Sequence, residues 1–379
     1  MTSIILSIPA FVLLNLILGS VSISAADVFS ILFHHAAGDG VCHNEVWDNI
    51  VMKTRLPQTL TALACGAGLS VAGLEMQTVF HNPLAGPSVL GVSSAASLGV
   101  AFVVLLSGTL GGGIMTRFGV FGNTALTLAA ISGAMVVMAL IVWLSQKLEG
   151  NTTLLITGVL IGYIATAIIG VLKYFSTEED IRAYVIWGLG SFARVTGGQI
   201  NVFVTLMVIM LPLTMLLAKP LNIMLLGELY AENLGLNVRR ARLLIIASAG
   251  TLTAVATAYC GPIMFLGLAV PHIARGLFRV EDHRITLPAT MFCGASLALV
   301  CNLIARLPGF EGALPINSVT ALIGAPVALA VLLRRKEKSD NLGPSMRKQN
   351  TRWMLEHKRW NTRRMLEHKK AEQKNRRTS

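Results

Sequence analysis

Few side chains in this sequence are placed to do chemistry, and most of those lack partners at a usable spacing. His34, His35, Cys42 and His43 gather in one stretch, but their spacing matches no established zinc or haem motif, so no metal centre is expected there. His272 has no second histidine or carboxylate at ligand spacing and reads as a structural histidine capping a helix end. Glu75 stands inside an apolar run. A carboxylate there is costly unless it pairs or reaches water, so it either borders a pathway or bonds a neighbouring helix. The chain has no G-x-x-x-x-G-K-[ST] loop to cradle nucleotide phosphates. No catalytic residue and no cofactor are expected.

The elements that hold these residues are dictated by composition. Apolar residues make up 54% of the chain and charged ones 13%, with mean hydropathy +0.66, so a water-soluble fold would leave too much apolar surface exposed. Ten apolar runs, at 4–21, 56–79, 89–106, 125–144, 154–172, 202–217, 243–259, 263–278, 285–304 and 316–333, approach the ~20 residues a helical span needs. They lack the period-two alternation of barrel strands, and only helices or closed barrels satisfy their backbones in lipid. The expected fold is therefore all-α and polytopic, with about ten transmembrane helices. The first run has no basic residue before it and no convincing cleavage site, so it is expected to be a retained span. The 35 glycines point to close helix packing. Cys65, Cys260, Cys293 and Cys301 fall in or near apolar runs without C-x-x-C spacing, as small core hydrophobes do.

The net charge of +12 is almost all tail: 15 Lys and Arg face 14 Asp and Glu up to Leu333, and 16 face 5 beyond it. A basic cluster directly after the last span favours a cytoplasmic C-terminus, and ten spans then put the N-terminus on the same side. That orientation places Arg239, Arg240, Arg242, Arg275, Arg279 and Arg284 inside, and Arg55, Arg117, Arg182, Arg194 and Arg306 outside. Residues 1–335 are expected to form the membrane domain and 336–379 a basic cytoplasmic extension. Within it, Thr351-Arg-Trp-Met-Leu-Glu-His-Lys repeats at Thr362-Arg-Arg-Met-Leu-Glu-His-Lys. An 11-residue period keeps Met354-Leu355 and Met365-Leu366 on one helical stripe, which suits anionic lipid, RNA or plain solvation. No function is assigned to it, and no nucleic-acid partner is expected.

Two polar stretches interrupt the spans. Asn82-Pro83-Leu84-Ala85-Gly86-Pro87 combines two prolines that fix φ with a permissive glycine, which makes a short stiff loop. Residues 222–242 are too polar to cross a membrane, and Gly227 and Gly235 are placed to break them into two short helices. A third stretch, Gly261-Pro262-Ile-Met-Phe-Leu-Gly-Leu-Ala-Val-Pro271-His272-Ile-Ala-Arg275, has two prolines expected to kink or end helices.

These stretches, with Arg55-Leu-Pro, Trp187-Gly-Leu-Gly-Ser191 and Leu314-Pro-Ile-Asn-Ser-Val-Thr-Ala-Leu-Ile-Gly-Ala-Pro326, resemble the ABC importer permease family for iron-siderophores, haem and cobalamin. The resemblance covers about residues 50–335. It implies a type II importer fold in the bacterial inner membrane, working by alternating access. Its implied partners are a second copy of the chain, two cytoplasmic ATP-binding subunits and a periplasmic substrate-binding protein. The chain itself is then no enzyme, because ATP hydrolysis belongs to the separate subunit.

Residue by residue, the resemblance implies a cytoplasmic gate at Asn82 and Leu84, with Asn151 and Thr152 as counterparts. ATPase coupling falls to Gly227, Glu228, Ala231, Leu234 and Gly235. Binding-protein docking falls to Arg55 and Arg306, each of which could instead snorkel at the interface. Three positions depart from the family pattern: Gln58 stands where a second arginine is common, Asn302 where an aspartate is, and Asn317 where a glycine is. An ion-gradient-driven secondary transporter is the alternative, with Glu75 as its clearest intramembrane carboxylate.

Overall fold

The computed structural model describes residues 2–19, 21–37, 44–109, 120–147, 150–195, 197–306 and 313–340. In chain order the helices are α1 Thr2–Ile17, α2 Ala25–Ala37, α3 Glu45–Ile50, α4 Leu56–Val79, α5 Val92–Thr109, α6 Val120–Lys147, α7 Asn151–Tyr174, α8 Glu178–Gly188, α9 Gly198–Thr214, α10 Ala218–Met224, α11 Glu228–Asn233, α12 Val238–Cys260, α13 Phe265–Phe278, α14 His283–Ala305 and α15 Ile316–Asp340. No strand occurs among the described residues. The chain divides into two units, Met1–Ala328 and Leu329–Ser379. The described part of the second is the end of the helix that begins at Ile316, and the 351–372 repeat lies outside the described residues.

Six helical stretches are long and apolar enough to cross a membrane: Glu45–Val79, Asn123–Lys147, Thr152–Tyr174, Gly198–Met224, Val238–Cys260 and His283–Ala305. Shorter apolar helices, Ile4–Ile17, Val92–Leu106, Phe265–Phe278 and Ile316–Ala330, occupy the other four expected positions. Each apolar run thus becomes a helix, and the chain is an all-α multi-pass membrane protein. The helices α2 and α8 lie outside these stretches. The acidic cluster Glu178-Glu179-Asp180 forms the first turn of α8 behind the N-cap Thr177, where negative charge opposes the helix dipole favourably.

The core is organised around α4. Nearly every residue from Pro57 to Val79 is buried, as befits a helix that is apolar or small all round. It packs against α14, α12, α13 and α9, while α5 packs against α6 and α7. Glycines set these distances. A Cβ on Gly66 would lie 2.4 Å from the carbonyl oxygen of Gly294 in α14, and one on Gly99 would lie 2.1 Å from that of Ala129 in α6. Without a hydrophobic drive between helices in lipid, such backbone contact supplies the packing attraction. Hydroxyls on α4 are satisfied locally, as in Thr59 to the Arg55 carbonyl and Thr61 to that of Pro57. Glu75 is fully buried and accepts from the Ser248 hydroxyl of α12 at 2.9 Å. Of the two readings left open for it, the bond to a neighbouring helix is the one present.

Two departures noted in the sequence prove to touch. The Gln58 side chain is buried and donates to Asn302 Oδ1 at 2.9 Å; Asn302 donates in turn to Asn15 Oδ1 at 2.8 Å, and Asn15 to the Phe11 and Leu299 carbonyls. Position 58 therefore faces the bundle, not a docking surface. The neutral triad ties α1, α4 and α14 together without any buried charge. Asn302→Asp alone would bury a carboxylate opposite an amide and is expected to cost about 3 kcal/mol or more. Adding Gln58→Arg supplies the missing cation and is expected to recover most of that loss, read as thermal midpoints in a double-mutant cycle.

Candidate functional site

The two ends of α4 carry the marked residues. At its C-terminal end the backbone closes in a Schellman pattern: the Asn82 N–H bonds the Gln77 carbonyl and the His81 N–H that of Thr78. The left-handed position in such a cap usually holds glycine. Here it holds His81, at φ 48°, and the ring Nε2 donates to the Met224 carbonyl at the end of α10. Asn82 then organises the loop, its Oδ1 accepting from the Leu84 N–H at 3.0 Å and its carbonyl from the Ala85 N–H at 3.0 Å. Leu84 is exposed. The Asn82-Pro83 step is pinned from α13, where His272 Nε2 donates to the Pro83 carbonyl at 2.7 Å.

His272 was expected to cap its own helix end. It lies inside α13 and crosslinks to this loop, because Pro271 does not end α13 and the break falls instead at Gly261-Pro262. Gln77 adds a second tie, donating to the Leu268 carbonyl and accepting from Arg275.

The polar stretch 222–242 folds as expected into short helices broken at glycines. Gly227 and Gly235 both adopt positive φ, 94° and 82°, on either side of the six-residue α11. Glu228 opens α11 and is ion-paired with the largely buried Arg242 at the start of α12. Ala231 is buried beneath. Three apolar side chains of the segment are open: Leu226, just before Gly227, is 60% exposed, Tyr230 within α11 64%, and Leu234 at its C-cap 61%.

Further contacts join this segment to the spans. Asn222 Nδ2 donates to Asp282 at 2.6 Å, and its Oδ1 accepts from both the backbone N–H and Nδ1 of His283 at 2.8 Å. The far ring nitrogen of His283 meets the Thr78 hydroxyl of α4 at 2.9 Å. Asp282, the N-cap of α14, is held below the usual carboxylate range by the Arg284 backbone N–H and then by the Asn222 amide.

Asn151 and Thr152 open α7, with Thr152 exposed. Contact between α7 and the loop after α4 comes deeper, where a Cβ on Gly158 would lie 2.8 Å from the Leu90 Cα.

At the N-terminal end of α4 the structure corrects an expectation. Pro57 cannot donate a backbone hydrogen bond and its ring crowds the preceding turn, and the chain answers with a π-helical turn over Val51–Arg55. That turn brings Arg55 against the end of α1, where it donates to the Leu16, Ile17 and Val21 carbonyls. At 1% exposure, its guanidinium caps orphan carbonyls and presents no charge to a docking partner. Arg306, half-buried, closes α14 with its guanidinium beside Gly19, next to that of Arg55.

Asn317 brackets three segments: its amide donates to the Pro262 and Gly188 carbonyls and its Oδ1 accepts from the Met264 N–H. His35 pairs with Asp48 at 2.8 Å, while Cys42 and His43 lie outside the described residues.

His81, Asn222, His283 and Arg242 carry no site role in the sequence reading. A histidine where a helix-ending glycine is usual was a usable signal for His81. The pairing of Asn222 with residues 60 positions away had none.

Comparison with known proteins places this architecture. The model of the FecCD transport family matches residues 5–335. The chain is 38% identical over 289 residues to the vitamin B12 import system permease protein BtuC of Klebsiella pneumoniae subsp. pneumoniae, covering 76% of this chain and 83% of that one. It is 36% identical over 305 residues to the protein of the same description from Escherichia coli O127:H6, covering 78% and 90%. A solved inward-facing conformation of a metal-chelate type ABC transporter superposes with a TM-score of 0.74 at 29% identity, covering 88% of this chain and 98% of that one.

Proposed function

We infer from the FecCD transport family, to which this chain belongs, that it is the transmembrane permease subunit of an ATP-driven ABC importer. Its cargo is a large metal chelate: a cobalamin, as the names of its relatives suggest, or an iron-siderophore or haem. It sits in the inner membrane with both termini in the cytoplasm and pairs with a second copy of itself, two ATP-binding subunits and a periplasmic binding protein. Residues 1–335 carry the transport function and the basic extension 336–379 lies outside it.

One observation carries this reading: a family match over nearly all of the membrane domain coincides with an exposed, glycine-bounded helix α11 between spans. ATP binding on a separate subunit can favour one permease conformation only through contacts that differ between states. The segment Gly227-Glu228-Ala231-Leu234-Gly235 is where that contact is placed, and Asn82, Leu84, Asn151 and Thr152 form the gate it drives.

The test is uptake into proteoliposomes holding the permease, its ATPase and its binding protein, with labelled cyanocobalamin, a ferric hydroxamate and haem offered in turn. ATP-dependent, vanadate-sensitive accumulation of one of them is expected. Accumulation that ignores vanadate but collapses with a protonophore would replace this reading with a gradient-driven carrier. Removing 336–379 is expected to leave uptake within about twofold of the full chain, as for a like-charge solvated segment.

A further inference from the structure

We propose that His81 and Asn222 are positioning residues that transmit movement of the coupling segment to the Asn82-Pro87 loop. The proposal rests on the importer reading above and names the contacts through which that reading operates in this chain. Helix α11 is six residues long and cannot by itself move a span, since so short a helix has little rigidity of its own. It is joined to α10 at Gly227 and ion-paired to α12 through Glu228 and Arg242, and the hydrogen-bonded route to the Asn82 loop runs through α10. Helix α10 has two polar ties to the gate end of α4. The first runs from the Met224 carbonyl to the His81 ring at 2.9 Å. The second runs from Asn222 through His283 to Thr78, with contacts of 2.8 and 2.9 Å.

The second tie reaches the last turn of α4 at Thr78, and the first reaches the cap beyond it at His81, directly before Asn82. The first is strained: His81 holds a left-handed backbone conformation that glycine or asparagine adopts more readily. A non-glycine residue in such a conformation persists only where its surroundings over-determine it, and here the two capping hydrogen bonds and the bond to Met224 do so together. The second tie is directional. Asn222 Oδ1 can only accept, so His283 Nδ1 carries a proton, while the Asn222 amide is oriented by Asp282. A shift of α10 therefore pulls on the His81 backbone and on the α4–α14 contact together. His272, bonded to the Pro83 carbonyl, holds the far side of the loop to α13, so the loop bends between a moving tie and a fixed one.

The test needs no cargo. With Leu84→Cys as reporter in inside-out vesicles containing the permease and its ATPase, the rate of labelling by a membrane-impermeant maleimide is measured with and without ATP plus vanadate. The assembly with native His81 and Asn222 is expected to change its labelling rate by about fivefold or more, the lower range of coupling between distant sites. His81→Gly relaxes the positive φ while removing the tie, so its thermal midpoint is expected to be unchanged or raised. Its ATP hydrolysis is expected to persist, and its ATP-dependent change in labelling to disappear. Asn222→Ala is expected to keep hydrolysis and lose the ATP-dependent change in labelling in the same way, at a lower thermal midpoint because the buried His283 loses this acceptor, and the double variant to show no residual response.

A full labelling response in both single variants would overturn the proposal. So would a parallel fall in hydrolysis, stability and labelling, which marks a merely structural role. Failure of the importer reading is separate: there, the unsubstituted pair would show no ATP-dependent labelling at all.

Discussion

Gly73→Val is expected to prevent accumulation of folded protein, while Gly276→Ala on the facing helix is expected to change nothing measurable. A Cβ on Gly73 would lie 1.7 Å from the Gly267 carbonyl oxygen, the tightest approach of α4 to α13. The obstacle is backbone, not the end of a flexible side chain, so relief requires the helices to separate. Gly267 has no room to retreat: a Cβ there would meet Pro87 at 2.6 Å and the Leu69 carbonyl oxygen at 2.7 Å. Separation would also pull on the bond between Gln77 and the Leu268 carbonyl, and on that between His272 and the Pro83 carbonyl. Overpacking a dense interior costs about 1–3 kcal/mol where neighbours can yield, and more where they cannot. About 3 kcal/mol or more is expected here, a large share of a domain's net stability. Gly276, near the end of the same α13, has nothing within 4 Å of its virtual Cβ. Size-exclusion profiles and melting of detergent extracts decide the matter, and a Gly73→Val protein that elutes and melts like the unsubstituted one would refute this account of the core.

The same residues show what a one-dimensional reading reaches. Ten apolar helices were legible because lipid demands about 20 apolar residues in a row, a local property that needs no partner, and six of these positions hold stretches long enough to cross a membrane. The span expected at 56–79 is α4, Leu56–Val79. The breaks at Gly227 and Gly235 were legible too, since glycine beside polar residues marks a place where a helix can stop. Partnerships across the bundle were not. Gln58 and Asn302 stood in the sequence as two separate departures from the family pattern, yet they are bonded to each other across 244 positions. Arg55 looked like a surface cation because arginines at span ends usually snorkel. Pro57 overrides that default by forcing the π-helical turn that swings it inward. Helices α2 and α8 lie between apolar runs and were invisible to a search for membrane-length segments.

Tyr230→Asp is expected to abolish ATP-driven uptake while leaving the fold intact. Tyr230 is exposed on α11, as are Leu226 before the helix and Leu234 at its C-cap. The helix is held by the ion pair of Glu228 with Arg242 and by burial of Ala231. Exposed apolar side chains among the exposed polar Glu232, Asn233 and Arg239 have the composition of a protein contact, in which a central aromatic typically contributes about 2 kcal/mol or more. A loss of that size weakens association about 30-fold, and the new carboxylate adds the cost of desolvating a charge at the centre of the contact. Co-purification of the ATPase and vanadate-sensitive hydrolysis in its presence read the effect, with thermal melting as the control for folding. Arg242→Ala should give a milder version by the opposite route: it leaves Tyr230 in place but frees Glu228 and loosens the helix that presents the ring. If Tyr230→Asp retained the ATPase in full, the contact would have to lie elsewhere on the permease, and the path from α11 through α10 to the Asn82 loop would have nothing to drive it.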